Sequence, residues 1–212
     1  MKVLKFGGTS VGSPQRMQDV SKLITEDGEV KIVVLSAMSG TTNSLVEISG
    51  YLYKKNPEGA NTIINQLEQK YVEHINALYR TEEVKRKTLE FLHEEFDYLR
   101  SFTKVHFTSF EEKVILAQGE IISTNMVTNY LQECGIKAFL VNALDIIRTD
   151  KNAEPDMNYI KEKITKMLEN NAGYQIYVTQ GFICRNAYGE IDNLLRGGSD
   201  YSACLIGAAI QA

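Results

Sequence analysis

Short apolar runs and amphipathic stretches alternate over the first part of the chain. Residues 3–6 and 31–36 are almost continuously apolar, whereas residues 14–25 repeat apolar side chains three or four positions apart. This repeat predicts a helix that begins at Pro14 with Ser13 as its N-cap. The apolar run at 31–36 is typical of a parallel strand that is buried on both faces. Together the three segments predict a βαβ unit.

A different pattern occupies the middle of the chain. From about 59 to 103, apolar residues recur three or four apart with charged residues between them. This spacing predicts two amphipathic helices that pack as an antiparallel pair, and we interpret them as a helical insertion. Residues 110–131 form a further long helical stretch, in which Gly119 and Glu120 predict an interruption.

The carboxylate of Glu120 stands among apolar neighbours in the sequence, from Ile115 to Ile122. A buried carboxylate is costly unless a cation or hydrogen-bond donors meet it. The alternative is that Glu120 points to solvent from an amphipathic face. We favour a functional carboxylate at this position.

The last third of the chain returns to short strands. Strand-like runs at 137–141 and 174–179 flank a helix predicted over 156–168. A hairpin is predicted around 186–189, and a helix of small apolar residues follows it. The whole pattern predicts the α/β class with a mainly parallel sheet. The polar loop 37–43 then lies at the carboxyl end of a buried strand, where open α/β sheets place their ligands.

Two pairs of adjacent glycines stand before predicted helices. Gly7-Gly8 follows the first strand, two residues after Lys5, and Gly197-Gly198 lies between Arg196 and Asp200. Adjacent glycines let the backbone approach a ligand closely, and a helix N-terminus offers free amides to anions. Each pair alone is also compatible with an ordinary turn, and neither matches the common P-loop or dinucleotide fingerprint. Two such pairs with cations beside them favour phosphate chemistry.

Composition and charge narrow the class of protein. Of 212 residues, 43% are hydrophobic and 24% are charged, which is ordinary for a globular domain. The net charge of −4 argues against nucleic-acid or anionic-membrane partners. No signal peptide or run of ~18 apolar residues is present, so we expect a cytoplasmic protein without a membrane segment. Cys134, Cys184 and Cys204 are far apart and predict reduced core thiols rather than disulfides or a zinc site.

Three segments of this chain resemble the signatures of aspartate kinases. They are the stretch from Lys5 to Ser10, the stretch Val33–Ala37 followed by Thr42-Asn43, and the stretch from Arg196 to Ala203. Glu120 falls where that family has a Gly-Glu pair. The resemblance runs nearly end to end. It implies the amino-acid-kinase fold, a three-layer α/β/α sandwich with a mainly parallel central sheet.

The resemblance implies ATP-dependent phosphorylation of the side-chain carboxylate of L-aspartate to 4-phospho-L-aspartate, with Mg²⁺ accompanying the nucleotide. In this family the reaction is the first step towards lysine, threonine and methionine. The residues that it implies to be catalytic are Lys5 and Asp200. Those implied to bind the nucleotide are Lys5, Phe6, Gly7, Gly8, Gly197 and Gly198, and those implied to bind aspartate are Ser36, Thr42, Glu120, Arg196 and Ser199. No residue is assigned as a metal ligand.

The chain also departs from the family pattern. Leu195 stands where the family usually has a glycine, directly before the Arg of the last motif. The family continues beyond the position of Ala212 with a segment that completes the nucleotide site and with regulatory domains. We therefore expect residues 1–212 to be the N-terminal portion of an aspartokinase catalytic domain that is inactive alone. The full-length protein is expected to be a homo-oligomer, and the opening Lys2–Lys5 resembles aspartokinases fused to homoserine dehydrogenase.

Two alternatives stay open at this point. One is another kinase of the same fold, which would act on glutamate or on a nucleoside monophosphate. The other is a catalytically silent fragment that binds aspartate without turnover.

Overall fold

The computed structural model describes residues 1–194 and 197–212, so Leu195 and Arg196 lie outside the described residues. The strands are β1 (Lys2–Phe6), β2 (Lys31–Leu35), β3 (Ala138–Val141), β4 (Ile176–Gln180), β5 (Ile183–Arg185) and β6 (Ile191–Asn193). The helices are α1 (Pro14–Thr25), α2 (Thr41–Tyr53), α3 (Pro57–Leu78), α4 (Glu82–Ser101), α5 (Ser109–Glu133), α6 (Ala143–Ile146), α7 (Met157–Asn170) and α8 (Gly198–Ile210).

The central sheet has four parallel strands in the order β1-β2-β4-β3. Lys5 of β1 pairs with Val34 of β2, Val34 with Thr179 of β4, and Thr179 with Val141 of β3. Strands β1 and β2 with α1 between them form the predicted βαβ unit. All four carboxyl ends meet at one edge of the sheet, because the strands run in the same direction.

Helices cover both faces of the sheet. Because successive side chains of a strand point to opposite faces, Val33 and Leu35 pack in one hydrophobic cluster and Ile32 and Val34 in another. The first cluster contains the apolar sides of α1 to α5, and the second those of α6, α7 and α8. The three-layer α/β/α sandwich is thus confirmed.

Helices α3 and α4 form the predicted pair, and a connection of three residues joins them. Glu68 on α3 accepts a hydrogen bond from Arg100 on α4 and lies 2.8 Å from Nδ1 of His93. Tyr71 and Phe96 meet between the two helices with ring centroids 6.1 Å apart, and both are fully buried. The insertion therefore has its own apolar seam, which joins the larger cluster on that face of the sheet.

The predicted interruption at Gly119-Glu120 is wrong, because α5 is continuous from Ser109 to Glu133. A Cβ on Gly119 would lie 2.7 Å from the Cβ of Ala37 and 3.2 Å from Cγ2 of Thr41. The glycine allows close helix packing here instead of breaking the helix. The N-terminus of α5 is closed by a capping box of Thr108 and Glu111.

The prediction of three core thiols also needs correction. Cys184 is buried, and this burial raises the pKa of its thiol to about 12, but Cys134 and Cys204 are exposed. Apolar neighbours in the sequence do not specify whether the side chain of a helical cysteine points to the core or to solvent.

Across residues 1–194 and 197–212, no helix combines the length and the hydrophobicity needed to cross a membrane.

Candidate functional site

A cavity of about 390 Å³ opens at the carboxyl edge of the sheet. It is enclosed by the loops that follow β1 and β2, by the turn after β4, by the middle of α5 and by the first turn of α8. The residues that line it are Lys5, Gly8, Ser36, Ala37, Met38, Ser39, Gly40, Thr42, Asn43, Glu120, Phe182, Gly197, Gly198, Ser199 and Asp200. We call this cavity the cleft.

The loops after β1 and β2 are held close together at one wall of the cleft. The amide of Ser36 donates to the carbonyl of Phe6 at 3.2 Å, and that of Ser39 donates to the carbonyl of Gly8 at 3.1 Å. A Cβ on Gly8 would lie only 2.7 Å from the carbonyl oxygen of Ala37. Only glycine permits this approach, which explains the second glycine of the first pair.

The N-terminus of α8 packs directly on the turn after β4 and forms the opposite wall. Gly197 has a φ of 81° and precedes the helix, a conformation that glycine adopts without strain. A Cβ on Gly198 would lie 2.8 Å from Cδ2 of Phe182, and one on Gly181 would lie 2.6 Å from Cβ of Ser199. These glycines therefore allow α8 to lie close to the turn after β4. The free amides of its first turn then face the cleft.

Replacing Gly181 with Ala is expected to destabilise the protein by about 1–3 kcal/mol, because the new methyl group would push α8 away from β4. Gly207 offers a matched control on α8, since a Cβ there meets no atom within 4 Å. Gly207→Ala is expected to stabilise the helix by about 0.5–1 kcal/mol. Urea unfolding of the two variants measures both effects, and equal stabilities would contradict the close packing.

A charged pair stands at the mouth of the cleft. Nζ of Lys5 lies 3.0 Å from Oδ1 of Asp200, and the exposed fractions of the two side chains are 25% and 70%. Lys5 is the fourth residue of β1 and Asp200 belongs to the first turn of α8. The pair therefore connects two walls that are almost two hundred residues apart in the sequence, and it places a cation beside a helix N-terminus.

Hydroxyl groups line the floor of the cleft. The hydroxyl of Ser36 donates to that of Ser199 at 2.9 Å, so the end of β2 is bonded to the start of α8. The hydroxyl of Ser123 on α5, itself fully buried, donates to the carbonyl of Ser36 at 2.8 Å. Thr42 lies on the first turn of α2, which also faces the cleft.

Glu120 brings a buried carboxylate to the cleft from the middle of α5. Only 5% of the residue is exposed, and its Oε1 accepts a hydrogen bond of 3.1 Å from the amide of Ala37. Burial raises the pKa of this carboxyl to about 7, although the amide of Ala37 opposes the rise. A carboxylate in this position gains most from a cationic ligand, because such a ligand offsets the cost of its burial.

Comparisons with known proteins identify the family of this chain. The family model described as the amino acid kinase family matches residues 1–212. The chain belongs to the amino acid kinase family. It is 30% identical to lysine-sensitive aspartokinase 3 of Escherichia coli over 99% of this chain and 46% of that protein. It is 26% identical to a chloroplastic bifunctional aspartokinase/homoserine dehydrogenase 1 of Arabidopsis thaliana over 99% of this chain and 24% of that protein.

A solved structure shares the fold of this amino acid kinase chain. E. coli aspartokinase III in complex with aspartate and ADP superposes with a TM-score of 0.87 and 29% identity, over 100% of this chain and 47% of that one. The chain therefore spans about half the length of the E. coli enzyme. The relatives named here are aspartokinases, alone or fused to a homoserine dehydrogenase.

Most of the residues that the sequence predicts for the site of an amino acid kinase line the cleft together. They are Lys5, Gly8, Ser36, Thr42, Glu120, Gly197, Gly198, Ser199 and Asp200. Phe6 lines a separate hollow with Thr9 and Arg16, and Gly7 lies beside Lys5, with its Cβ position 3.5 Å from Nζ. Arg196 lies outside the described residues.

Sequence reasoning did not assign Ser39, Asn43 and Phe182, which also line the cleft. Asn43 carries a signal, since it follows Thr42 in the polar loop after β2. Phe182 carries none, because an aromatic residue next to a strand is typical of a core position. Its φ of 69° is unusual for a residue with a side chain, and its amide donates to the hydroxyl of Ser202 at 3.0 Å.

Proposed function

We propose that this protein transfers the γ-phosphoryl group of ATP to the side-chain carboxylate of L-aspartate. The observation that carries the proposal is the composition of the cleft. One cavity holds a buried carboxylate, Glu120, a cation, Lys5, and the amides of a helix N-terminus at Gly198. The carboxylate of Glu120 matches the ammonium of aspartate, Lys5 matches a transferring phosphoryl group, and the amides match the anionic oxygens of a nucleotide.

The inner end of the cleft suits the amino acid. Glu120 would receive the substrate ammonium, and the hydroxyls of Ser36, Thr42 and Ser199 would bond to its carboxylates. Arg196, placed by the sequence directly before the second glycine pair, would clamp a carboxylate with two parallel hydrogen bonds. Support for this orientation comes from Glu120, which is only 5% exposed and yet lines the cleft.

The mouth of the cleft suits the nucleotide phosphates. Lys5 would neutralise charge on the transferring group, while the backbone at Gly8, Gly197 and Gly198 would donate to phosphate oxygens. Phe6 and Gly7 stay predictions as nucleotide contacts. The family relative whose structure contains ADP supports a nucleotide at this cleft.

Magnesium fits the same mouth. No group of three or more His, Cys, Asp or Glu that could hold a metal is found in residues 1–194 and 197–212. Mg²⁺ keeps most of its water and is usually bound by one or two carboxylates together with phosphate oxygens, so it does not need such a group. The exposed carboxylate of Asp200 would be its protein ligand and would position it, and the ion would supply charge neutralisation when bound.

No general base is required for this reaction. The accepting carboxylate has an ordinary pKa of about 4 and is ionised at neutral pH. Catalysis of phosphoryl transfer consists mainly of positioning and charge stabilisation, which the cleft residues provide. The lack of a histidine among the lining residues described here is therefore compatible with the proposal.

We propose further that residues 1–212 correspond to the N-terminal portion of an aspartokinase catalytic domain, with α3 and α4 as its helical insertion. The basis is the share of the E. coli relative that the chain covers. Participation in lysine, threonine and methionine synthesis, assembly of the full-length protein as a homo-oligomer and a cytoplasmic location belong to the same proposal.

A substrate panel tests the function. The full-length protein is incubated with MgATP, hydroxylamine and one of three acceptors: L-aspartate, L-glutamate or uridine monophosphate. Hydroxylamine traps an acyl phosphate as a hydroxamate, so the expected result is aspartyl hydroxamate with L-aspartate alone. Glutamyl phosphate would be trapped in the same way, whereas UMP would give UDP, which hydroxylamine does not trap and which is therefore measured by chromatography. Glutamyl hydroxamate or UDP as the product would assign the protein to another branch of the amino acid kinase family. If L-aspartate binds to residues 1–212 in calorimetry without turnover, this segment is a binding fragment.

Arg196→Lys separates the two ends of the cleft. Lysine keeps the charge but loses the planar fork, so we expect the KM for aspartate to rise by about tenfold with little change in the KM for ATP. Steady-state kinetics of the full-length protein measure both constants. A rise confined to the KM for ATP would place Arg196 at the phosphates instead.

A further inference from the structure

Helix α3 of the insertion contacts the loop that leads into α2 through two side chains. Nζ of Lys70 donates to the carbonyl of Ser39 at 2.8 Å. The next residue, Tyr71, has its hydroxyl 2.9 Å from Oγ1 of Thr41. Two consecutive side chains of α3 therefore hold two residues on either side of Gly40. We call residues 38–42 the α2 loop.

The α2 loop needs an external support because its own capping is weak. Gly40 is the N-cap of α2 with a φ of 84°, and no side chain caps the helix. The loop also has a contact on its other side, where the amide of Ser39 donates to the carbonyl of Gly8. Glycine gives the chain conformational freedom at this point, so the contacts from α3 and from the β1 loop decide where the helix N-terminus points.

The two contacts from α3 differ in chemistry. Lys70 is half-buried, and its ammonium donates a hydrogen bond to the carbonyl of Ser39. Because the donor is charged, this hydrogen bond is stronger than one between neutral groups. Tyr71 and Thr41 are fully buried, and the ring of Tyr71 packs against that of Phe96 of α4 with an interplanar angle of 58°. The hydrogen bond between the hydroxyls of Tyr71 and Thr41 holds the α2 loop against α3. The hydrogen bond from Lys70 orients the peptide group between Ser39 and Gly40.

We propose that Lys70 and Tyr71 are positioning residues, through which the α3–α4 insertion holds the N-terminus of α2 against the cleft for substrate binding. The proposal deepens the aspartate site proposed above and rests on it. Neither residue touches the cleft, but Ser39, Gly40 and Thr42 line it on the loop that they hold. The insertion then determines the affinity for the amino acid without contributing a group that contacts it.

Four variants of the 212-residue chain test this role. Lys70→Met keeps the aliphatic stem and removes the charge, Lys70→Arg restores a cation, and Tyr71→Phe removes only the hydroxyl. Lys166→Met is the charge-matched control, since Lys166 is exposed on α7 on the other face of the sheet. Each variant is titrated with L-aspartate in a calorimeter, melted, and followed by amide hydrogen exchange without ligand.

We expect Lys70→Met to weaken the Kd for L-aspartate by about tenfold, in line with the loss of one charge-assisted hydrogen bond. Its Tm should change by less than about 4 °C, and exchange should accelerate in residues 39–43. Lys70→Arg should restore the affinity, and Lys166→Met should match the wild-type chain. Tyr71→Phe should show the same faster exchange with its packing against Phe96 intact, and it decides the question if Lys70→Met does not fold.

Wild-type affinity and exchange in Lys70→Met would overturn the positioning role. So would a loss of affinity that Arg does not restore and that occurs together with a large fall in Tm, since that is the result of general destabilisation. Failure of the proposed function gives a different result, namely no binding of L-aspartate by the wild-type chain. In that case the exchange rates of residues 39–43 still decide whether α3 holds the α2 loop.

Discussion

Replacement of Lys5 by Ala in the full-length protein is expected to lower kcat by roughly a hundredfold or more, the magnitude found when one group that stabilises transition-state charge is removed. Lys5 is the cation at the mouth of the cleft, 3.0 Å from Asp200 and beside the N-terminus of α8. Charge on the transferring phosphoryl group would develop there. The KM for aspartate should change much less, because the site proposed for the amino acid is at the inner end of the cleft.

The fold should survive this change. Lys5 lies on the edge strand β1, and its partner Asp200 is 70% exposed, so loss of the ion pair costs little stability. Lys2→Ala is the matched control, since Lys2 is on the same strand and pairs with Glu29 away from the cleft. Steady-state kinetics and circular dichroism of both variants make the comparison. An unchanged kcat in Lys5→Ala would remove Lys5 from the mechanism.

Replacement of Glu120 by Gln is expected to have two large effects of opposite sign. In the folded protein burial raises the pKa of Glu120 from 4.5 to about 7. Between these values the folded state keeps a proton that the unfolded chain has lost. The free energy of unfolding therefore falls as the pH rises through this window, by on the order of 3 kcal/mol in total. Gln has no proton to lose, and it keeps an oxygen for the amide of Ala37.

Glu120→Gln should accordingly be more stable than wild type by on the order of 3 kcal/mol at pH 8, and about equally stable below pH 4.5. The same variant should lose affinity for L-aspartate by about a hundredfold or more, because the substrate ammonium would lose its buried partner. Urea unfolding at the two pH values and calorimetry measure these effects. Glu169→Gln, an exposed carboxylate on α7, is the control. Equal stability of Glu120→Gln and wild type at pH 8 would show that the carboxylate carries no burial cost.

The first βαβ unit could be predicted from the sequence because its signals are local. Ser13 accepts a hydrogen bond from the amide of Arg16, as an N-cap should, and α1 begins at Pro14. Strand β2 is buried along its whole length, as its apolar run indicates. These features depend on neighbouring residues, so the chain pattern contains them.

The errors and omissions arise where distant segments meet. Gly119 has the sequence signature of a helix break, but its role depends on Ala37 and Thr41, which approach it from the segment that follows β2. The role proposed for Lys70 depends on a carbonyl 31 residues away, and a lysine on an amphipathic helix carries no signal of such a contact. Phe182 lines the cleft only because α8 packs over the turn after β4.

The sequence predicts the two glycine pairs and their flanking charges as parts of one site, and Lys5, Gly8, Gly197, Gly198 and Asp200 line the same cleft. The pairing of Lys5 with Asp200, across 195 positions, could be inferred only from the resemblance of both segments to one family. Asp200 is brought to Lys5 by the packing of α8 on β1 and β2, which no local pattern describes.

The measurement that tests the account most directly is calorimetric titration of the 212-residue chain with L-aspartate at pH 6.5, in two buffers of different ionisation enthalpy. With a pKa of about 7, Glu120 is mostly protonated at this pH and must ionise to bind an ammonium. We predict saturable binding with release of more than about half a proton per site, and no release with succinate, which lacks the ammonium. Binding of L-aspartate without proton release, or equal binding of succinate, would contradict the assignment of this cleft to an amino acid held by Glu120.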